Sequence, residues 1–422
     1  MRKFILIWFG QLVSTIGTYM TDFALTLWAW EITHSATALA LMGFFSQLLR
    51  IPVNLLSGII VDNINRKFLM ILGDAISAFF TIIIGFLFIT NNLQIWHLYL
   101  IASLNGIFGE IQRLAYQTSV TLIVPKSEYT RANSLNSSVH YGSAIFAPAL
   151  AGILFPLINL SGILVIDFIT FLIALFTLFI INIPQPAKND YPKENITNKL
   201  TFGFRYVWQN RCLWNTLILT ISFWFLHDLG ASVDEAMILA HSNDNSQVLG
   251  LILSAAGIGG VTGAIFLSWW GGTKNRLRGM SWGFMGAGIA KTVFGLGSTP
   301  SVWLPAQFCS SLNFPLLGSS ETAFWMENVS PEIQGRVFAS NNLILQVISA
   351  IASLLGGILA DRIFEPWMMT DNIFSPIFGK AEGAGMSFLY VLCSVGMFFV
   401  GWWGYKYWAI DKRSRNIHHS KT

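Results

Sequence analysis

Long apolar runs separated by short polar breaks set the pattern of this chain. Twelve of them can be placed, at 4–31, 37–61, 68–90, 96–122, 133–158, 162–182, 213–240, 247–270, 281–297, 301–327, 339–364 and 385–408. A helix that crosses a bilayer needs about 20 mainly apolar residues, so the pattern predicts twelve spanning α-helices. The first run begins at Phe4, is too long for a signal-peptide core and is followed by no small-residue cleavage site, so it is read as a helix of the mature protein.

Composition agrees. Of 422 residues, 54% are hydrophobic and only 11% charged, and the mean hydropathy is +0.58. A soluble domain carries about 25% charged residues, so this chain cannot hide its apolar surface in one water-soluble core.

The net charge of +4 suggests an acidic partner until the basic residues are laid onto alternate loops. With the N-terminus in the cytoplasm, Arg66, Lys67, Arg131, Lys188, Arg211, Arg276, Arg278, Arg336 and Arg413 fall on the cytoplasmic side, whereas the external loops hold only Arg362 and Lys380. That asymmetry is the positive-inside bias. It predicts both ends cytoplasmic and requires no nucleic-acid partner. Cys212, Cys309 and Cys393 are odd in number and scattered, which suggests neither a disulfide framework nor a metal site.

Between the sixth and seventh runs lies INIPQPAKNDYPKENITNKLTFGFRY, rich in Pro, Asn and Lys. It divides the chain into an N-terminal six-helix half, 1–183, a cytoplasmic linker, 184–212, and a C-terminal six-helix half with a short tail, 213–422. An offset of 205 or 206 residues places Asp22 opposite Asp228, Arg131 opposite Arg336 and Asn136 opposite Asn341. Duplicated halves are common in transporters.

An ionisable side chain in hydrocarbon costs roughly a few kcal/mol, so such groups face water, a partner or a substrate path. The candidates are Asp22 in the first run, Arg50 in the second, Glu110 and Arg113 in the fourth, Asp228 in the seventh, Lys291 in the ninth and Glu321 in the tenth. Glu110 and Arg113 are spaced i, i+3 and share a helix face. Two readings stay open for the N-terminal acids and bases: a neutral network that locks helices together, or a carboxylate that carries a proton. Asp74 and Asp167 are expected near helix ends, close to water. Trp325 lies four residues after Glu321, on the same face, and is a candidate substrate contact.

SGIIVDNINRKFLM, between the second and third runs, resembles the signature of the major facilitator superfamily in its first cytoplasmic hairpin. Gly58, Asp62, Arg66 and Lys67 match it, while Asn63 and Asn65 depart from it. Physically, Gly58 permits close helix contact, and Asp62 and Arg66 can pair across a gate. The plainer reading is a tight hairpin that obeys the charge bias.

WEITHSATALAL, IVPKSEYTRANSLNSS, WWGGTKNRLRG, VSPEIQGRVFAS and GGILADRIFEP are similar to one branch of that superfamily, the drug and siderophore exporters that include macrolide efflux proteins and the enterobactin exporter. The resemblance implies an all-α fold of two pseudo-symmetric six-helix bundles. In that superfamily the first and fourth helices of each half line a central cavity, which would place Asp22, Glu110, Arg113, Asp228 and Glu321 around the substrate path. GSAIFAPALAG resembles the Gly- and Pro-bearing motif of antiporters. Gly142, Pro148 and Gly152 would let that helix bend and pack closely.

GMSWG fits a nucleophile-elbow pattern but opens an apolar run with no strand before it. No HExxH and no Walker motif occur, so neither a zinc hydrolase nor an ATP-driven pump is indicated. The expectation is a multi-pass secondary transporter of the plasma membrane, a bacterial inner membrane. It would export a hydrophobic or amphiphilic small molecule by alternating access and proton antiport, as a monomer, without a cofactor and with the lipid bilayer as its surroundings. An importer or facilitator is the nearest alternative. A membrane transferase would need a clustered nucleophile or metal set, which the sequence lacks.

Overall fold

In the computed structural model the backbone is described over residues 1–125, 128–185 and 196–419. All regular structure among these residues is helical. The helices are α1 (Arg2–Thr33), α2 (Ala36–Leu48), α3 (Arg50–Asn63), α4 (Arg66–Ile89), α5 (Ile95–Ile123), α6 (Tyr129–Ile180), α7 (Ile196–Gln209), α8 (Arg211–His241), α9 (Ser246–Trp270), α10 (Arg276–Leu296), α11 (Pro300–Leu312), α12 (Phe314–Asn328), α13 (Pro331–Leu359), α14 (Glu365–Met368), α15 (Ser375–Phe378) and α16 (Ala384–His419).

Every apolar run forms helix, but at four places the chain departs from one straight rod per run. The second run is split between α2 and α3 at Leu49. Pro52 follows closely, and a proline cannot donate to, and clashes with, the carbonyl four residues back, here Leu48. The tenth run is split at Asn313 into α11 and α12, with Pro315 in the first turn of α12. The fifth and sixth runs join as α6, two helical arms that meet at Asn159, whose φ of 54° and ψ of −174° are not helical. The eleventh run ends in a widened π-turn, Ala360–Phe364, just before Pro366. The stretch expected as linker carries α7.

The breaks are capped by nearby side chains. Ser35 accepts from Ala38 N at 3.2 Å to start α2, Asn65 accepts from Phe68 N at 3.2 Å to start α4, and Asn275 accepts from Arg278 N at 2.9 Å to start α10.

Eight helical stretches are long and apolar enough to cross a membrane by composition alone, among the described residues. Of the helices at the twelve apolar runs, α5, α10, α11 and α12 fall short, and three of them hold Glu110, Lys291 and Glu321. For α11 and α12 the cause is length, 13 and 15 residues either side of the Asn313 break.

By contact pattern the chain forms two compact units. One comprises Met1–Lys193 with Ser242–Ser254, the other Glu194–His241 with Ala255–Thr422. In the first, α1 packs on α6, and α5 on α2, α3 and α4. In the second, α16 packs on α8 and α10, α13 on α8, and α12 on α10. Large apolar side chains such as Phe79, Phe86, Phe176, Phe179, Ile265 and Trp269 point outward, as lipid-facing residues do. The core of the second unit is built around Phe223, Phe284, Leu317, Phe324 and Trp325.

Candidate functional site

The first unit brings Arg50, Glu110 and Arg113 together. Arg50 stands at the start of α3, where the Leu49 break turns the chain, and its Nε donates to Glu110 Oε2 at 3.1 Å. Arg113, one turn along α5, donates Nε to the same oxygen at 3.1 Å and Nη2 to Glu110 Oε1. The carboxylate is 2% exposed, whereas both guanidinium side chains are 45% exposed. One buried anion therefore holds two open cations, and the group carries a net charge of +1. The i, i+3 spacing of Glu110 and Arg113 announces their pair. The arrival of Arg50 from sixty residues away does not follow from spacing.

Asp22 is an exposed residue on α1 and takes part in no ion pair among the described residues. Tyr19, one turn before it, lies within electrostatic reach of both Asp22 and Arg50 and hydrogen-bonds His140 Nδ1 at 2.8 Å.

Asp74 and Asp167 do not sit in water near helix ends. Both are buried, 5% and 2% exposed. Asp74 accepts from Gln11 Nε2 at 3.2 Å and from Gln112 Nε2 at 3.0 Å, and Gln112 Nε2 also donates to Gln11 Oε1 at 3.0 Å. Asp167 accepts from Thr81 Oγ1 at 3.0 Å. Amide and hydroxyl donors replace the water expected there, because α1, α4, α5 and α6 close over both acids. A single Asp in each of two apolar runs, Asp74 and Asp167, is the sequence signal for these buried acids.

Of the hairpin residues, Gly58 and Asp62 lie outside the residues whose side chains are described. Arg66 is buried, and its Nη1 donates to Thr118 O at 2.8 Å. Lys67 donates to Phe179 O at 3.1 Å and Ile181 O at 2.7 Å. Its ammonium thus caps the carbonyl end of α6, where a cation is favoured.

In the antiporter-like segment Gly152 and Pro148 make the close contacts expected, and Gly142 does not. A Cβ there would lie 2.7 Å from Ser246 O, and Ser246 Oγ donates to Gly152 O at 3.1 Å. Gly250 meets the Pro148 carbonyl in the same way. Gly142 has open space where a Cβ would be, and α6 departs from helical geometry at Asn159 rather than at Pro148. The bend belongs to Asn159, whose amide side chain tolerates positive φ better than most.

In the second unit the ionisable residues have other partners. Asp228 Oδ1 lies 2.9 Å from His227 Nδ1. Lys291, 5% exposed, donates to Tyr390 Oη at 2.9 Å, with Asp234 and Asp228 within electrostatic reach. It does not answer Glu321. Glu321 is half-buried, with the Trp224 side chain near it. Trp325 is not beside it in an open site: it is 3% exposed and part of the packed core. A helix face spans neighbours on two sides, and α12 turns Trp325 inward. Spacing alone missed Phe314 and Tyr390, which come from another turn and another helix. Among the described residues no three His, Cys, Asp or Glu side chains gather as a metal site would need.

The sequence profile of the Major Facilitator Superfamily matches residues 7–351. The chain belongs to that superfamily. It is 25% identical to macrolide efflux protein A of Streptococcus pyogenes over 367 residues, 86% of this chain and 90% of that protein. It is also 24% identical over 375 residues to an uncharacterized MFS-type transporter, YfiS, of Bacillus subtilis, covering 84% of this chain and 86% of that one. Among solved structures, the nucleoside transporter NupG (D323A mutant) superimposes with a TM-score of 0.70 at 15% identity, over 95% of this chain and 99% of that one. A POT family transporter bound to a thioalcohol-conjugated peptide gives 0.71 at 13% identity, over 94% and 95%. The chain is therefore a multi-pass membrane transporter of the major facilitator fold, with twelve spanning helices in two six-helix bundles.

Proposed function

We propose that this transporter moves a hydrophobic or amphiphilic small molecule out of the cell, in exchange for protons, by alternating access. The observation that carries the reading is the similarity to macrolide efflux protein A across most of both chains. The site chemistry supports it. Asp22 is an exposed acid on an apolar helix without an ion-pair partner among the described residues, and an intramembrane carboxylate that is not locked in a salt bridge is free to gain and lose a proton. Glu110 is held between two guanidinium groups and would stay ionised as a fixed element.

In this reading Asp22 is the coupling residue, while Arg50, Glu110 and Arg113 hold α3 and α5 together as it changes charge. The protein works in the plasma membrane as a monomer with both termini cytoplasmic, takes its energy from the proton gradient and uses no bound cofactor. Arg66 and the capping Lys67 then lie at its cytoplasmic face.

The test is transport in everted membrane vesicles energised to acidify their interior. Wild-type protein should concentrate an amphiphilic drug inside them, and Asp22→Asn should abolish that accumulation while the protein stays folded in the membrane. Accumulation that persists in the variant would remove Asp22 from coupling, and accumulation only in right-side-out vesicles would reverse the direction.

A further inference from the structure

The stretch from the π-turn to the start of α16, residues 361–383, has no part in the coupling reading, yet it is held firmly. Four of its rings surround Phe388 near the start of α16: Phe374, Trp367, Phe378 and Phe364 lie 4.9, 5.2, 5.5 and 5.6 Å from it between centroids. Asn372 ties the turn that follows α14. Its Nδ2 donates to Trp367 O and Thr370 O, both at 3.1 Å, and its Oδ1 accepts from Phe374 N at 2.9 Å. The buried Glu365 carboxylate accepts from Met386 N at 2.9 Å, in the first turn of α16, where an anion is favoured.

This fixed stretch nevertheless turns large apolar side chains outward. Ile373 is 89% exposed and Ile377 64%, and Trp367, Met369 and Phe374 are exposed beside them. The tip itself, NIFSPIF at 372–378, carries no charge. The charges stand at its ends, where Asp371 pairs with Lys380 and where Asp361, Arg362 and Glu382 lie. An apolar tip between charged ends is the pattern of a segment that lies in a membrane interface. A tryptophan that is partly open is at home at that depth.

What covers the tip follows from α16. Phe388, Leu392 and Phe399 stand at i, i+4 and i+11 and share one face of that helix. Leu392 and Phe399 are exposed apolar residues on a helix long and apolar enough to span, as lipid-facing residues are. The rings around Phe388 therefore continue the lipid-facing strip of α16 at its N-terminal end. With four acids and two bases over 361–383, the stretch has no electrostatic attraction to anionic headgroups, so apolar insertion is what holds it. We propose that residues 367–378 form a membrane-surface foot, in which Trp367, Ile373, Phe374 and Ile377 enter the lipid leaflet opposite the C-terminal end of α16. There they reach the boundary of headgroups and acyl chains, about 5–10 Å deep, and hold the adjoining ends of α13 and α16 at a fixed level.

The test uses the full-length protein in phosphatidylcholine nanodiscs, with Cys212→Ser and Cys309→Ser as background and the remaining Cys393 buried. A fluorophore is attached at Ile373→Cys, at Ile377→Cys and, as a control in the same stretch, at the exposed Glu382→Cys. Two quenchers are compared, a nitroxide on the lipid acyl chain near the headgroup and iodide in the water. Labels at 373 and 377 should be quenched several-fold more by the lipid nitroxide, and several-fold less by iodide, than the label at 382.

Labels at 373 and 377 that are as open to iodide as the label at 382 would place the tip in water and overturn the foot. Shielding from both quenchers would mean that protein, such as a second copy of this chain, covers the tip, and would overturn it as well. Ile373 and Ile377 both point outward, so either site alone decides if the other variant is lost. The inference goes beyond the export reading and does not depend on it: inward transport, or transport without protons, would leave the same quenching pattern.

Discussion

Glu110 in the first unit and Glu321 in the second are both carboxylates on helices that lie within apolar runs of the sequence. Their surroundings differ in kind. Glu110 is enclosed, 2% exposed, and clamped by two arginines that remain half open. Glu321 is partly open, has the Trp224 side chain near it, and forms no ion pair among the described residues. An acid already neutralised by hydrogen-bonded cations is part of the scaffold, whereas an acid outside any ion pair is not held in this way. The same contrast separates Asp22, exposed and without an ion pair, from its repeat-related Asp228, which is joined to His227. Equivalent positions in the two halves thus carry different chemistry.

The largest effect that can break this comparison is at Glu110. Glu110→Ala removes three charge-assisted hydrogen bonds at once and leaves the like-charged Arg50 and Arg113 side by side without their anion. The protein should lose most of its folded yield, read as a collapse of the monodisperse peak and of the unfolding temperature in detergent. A stable Glu110→Ala protein would mean that the clamp is not structural. Next in size is Trp325→Ala. Removing a packed indole costs about 3–5 kcal/mol at the upper limit, and the variant should melt earlier while its remaining folded fraction keeps the wild-type order of preference among compounds. A changed order would return Trp325 to the site.

Asp74→Ala comes third. It strips the acceptor from the Gln11 and Gln112 amides, a loss of about 1–2 kcal/mol for a hydrogen-bonded group inside a membrane protein, measurable against Asp74→Asn, which keeps most of the layer. The smallest structural effect is at Lys67. Lys67→Met should cost about 0.3–1 kcal/mol, the value of a cation at a helix C-terminus, with turnover unchanged. A large loss of turnover would favour the gate over the cap. Glu321→Gln belongs at the bottom of this stability series, within about 0.5 kcal/mol of wild type, because no ion pair is broken.

Much of the architecture was legible in the sequence because apolar run length reports directly on membrane crossing. The helices at all twelve runs follow from it, and the Glu110–Arg113 pair follows from helical spacing. What failed to show depends on tertiary approach. Arg50 joins Glu110 only because a proline-linked break sets it at the start of α3. Asp74 looks like a solvated helix-end acid until Gln11 and Gln112 are seen to close on it. Lys67 falls at a matching position of the hairpin motif, yet it reaches the end of α6, more than a hundred residues further along the chain. Trp325 shares a nominal face with Glu321, but α12 packs on α10 and buries the indole. Phe314 meets His227 and Trp224 only through the approach of α12 to α8, which spacing along one helix does not encode.

The most direct test of the central claim, proton-coupled export, compares compounds inside and outside cells with and without this gene, by mass spectrometry, at two external pH values. The account predicts an amphiphile that accumulates inside cells lacking the gene and is depleted from cells that have it, with stronger depletion at the more acidic external pH. A compound that is instead richer inside cells carrying the gene, or depletion equal at both pH values, would contradict it.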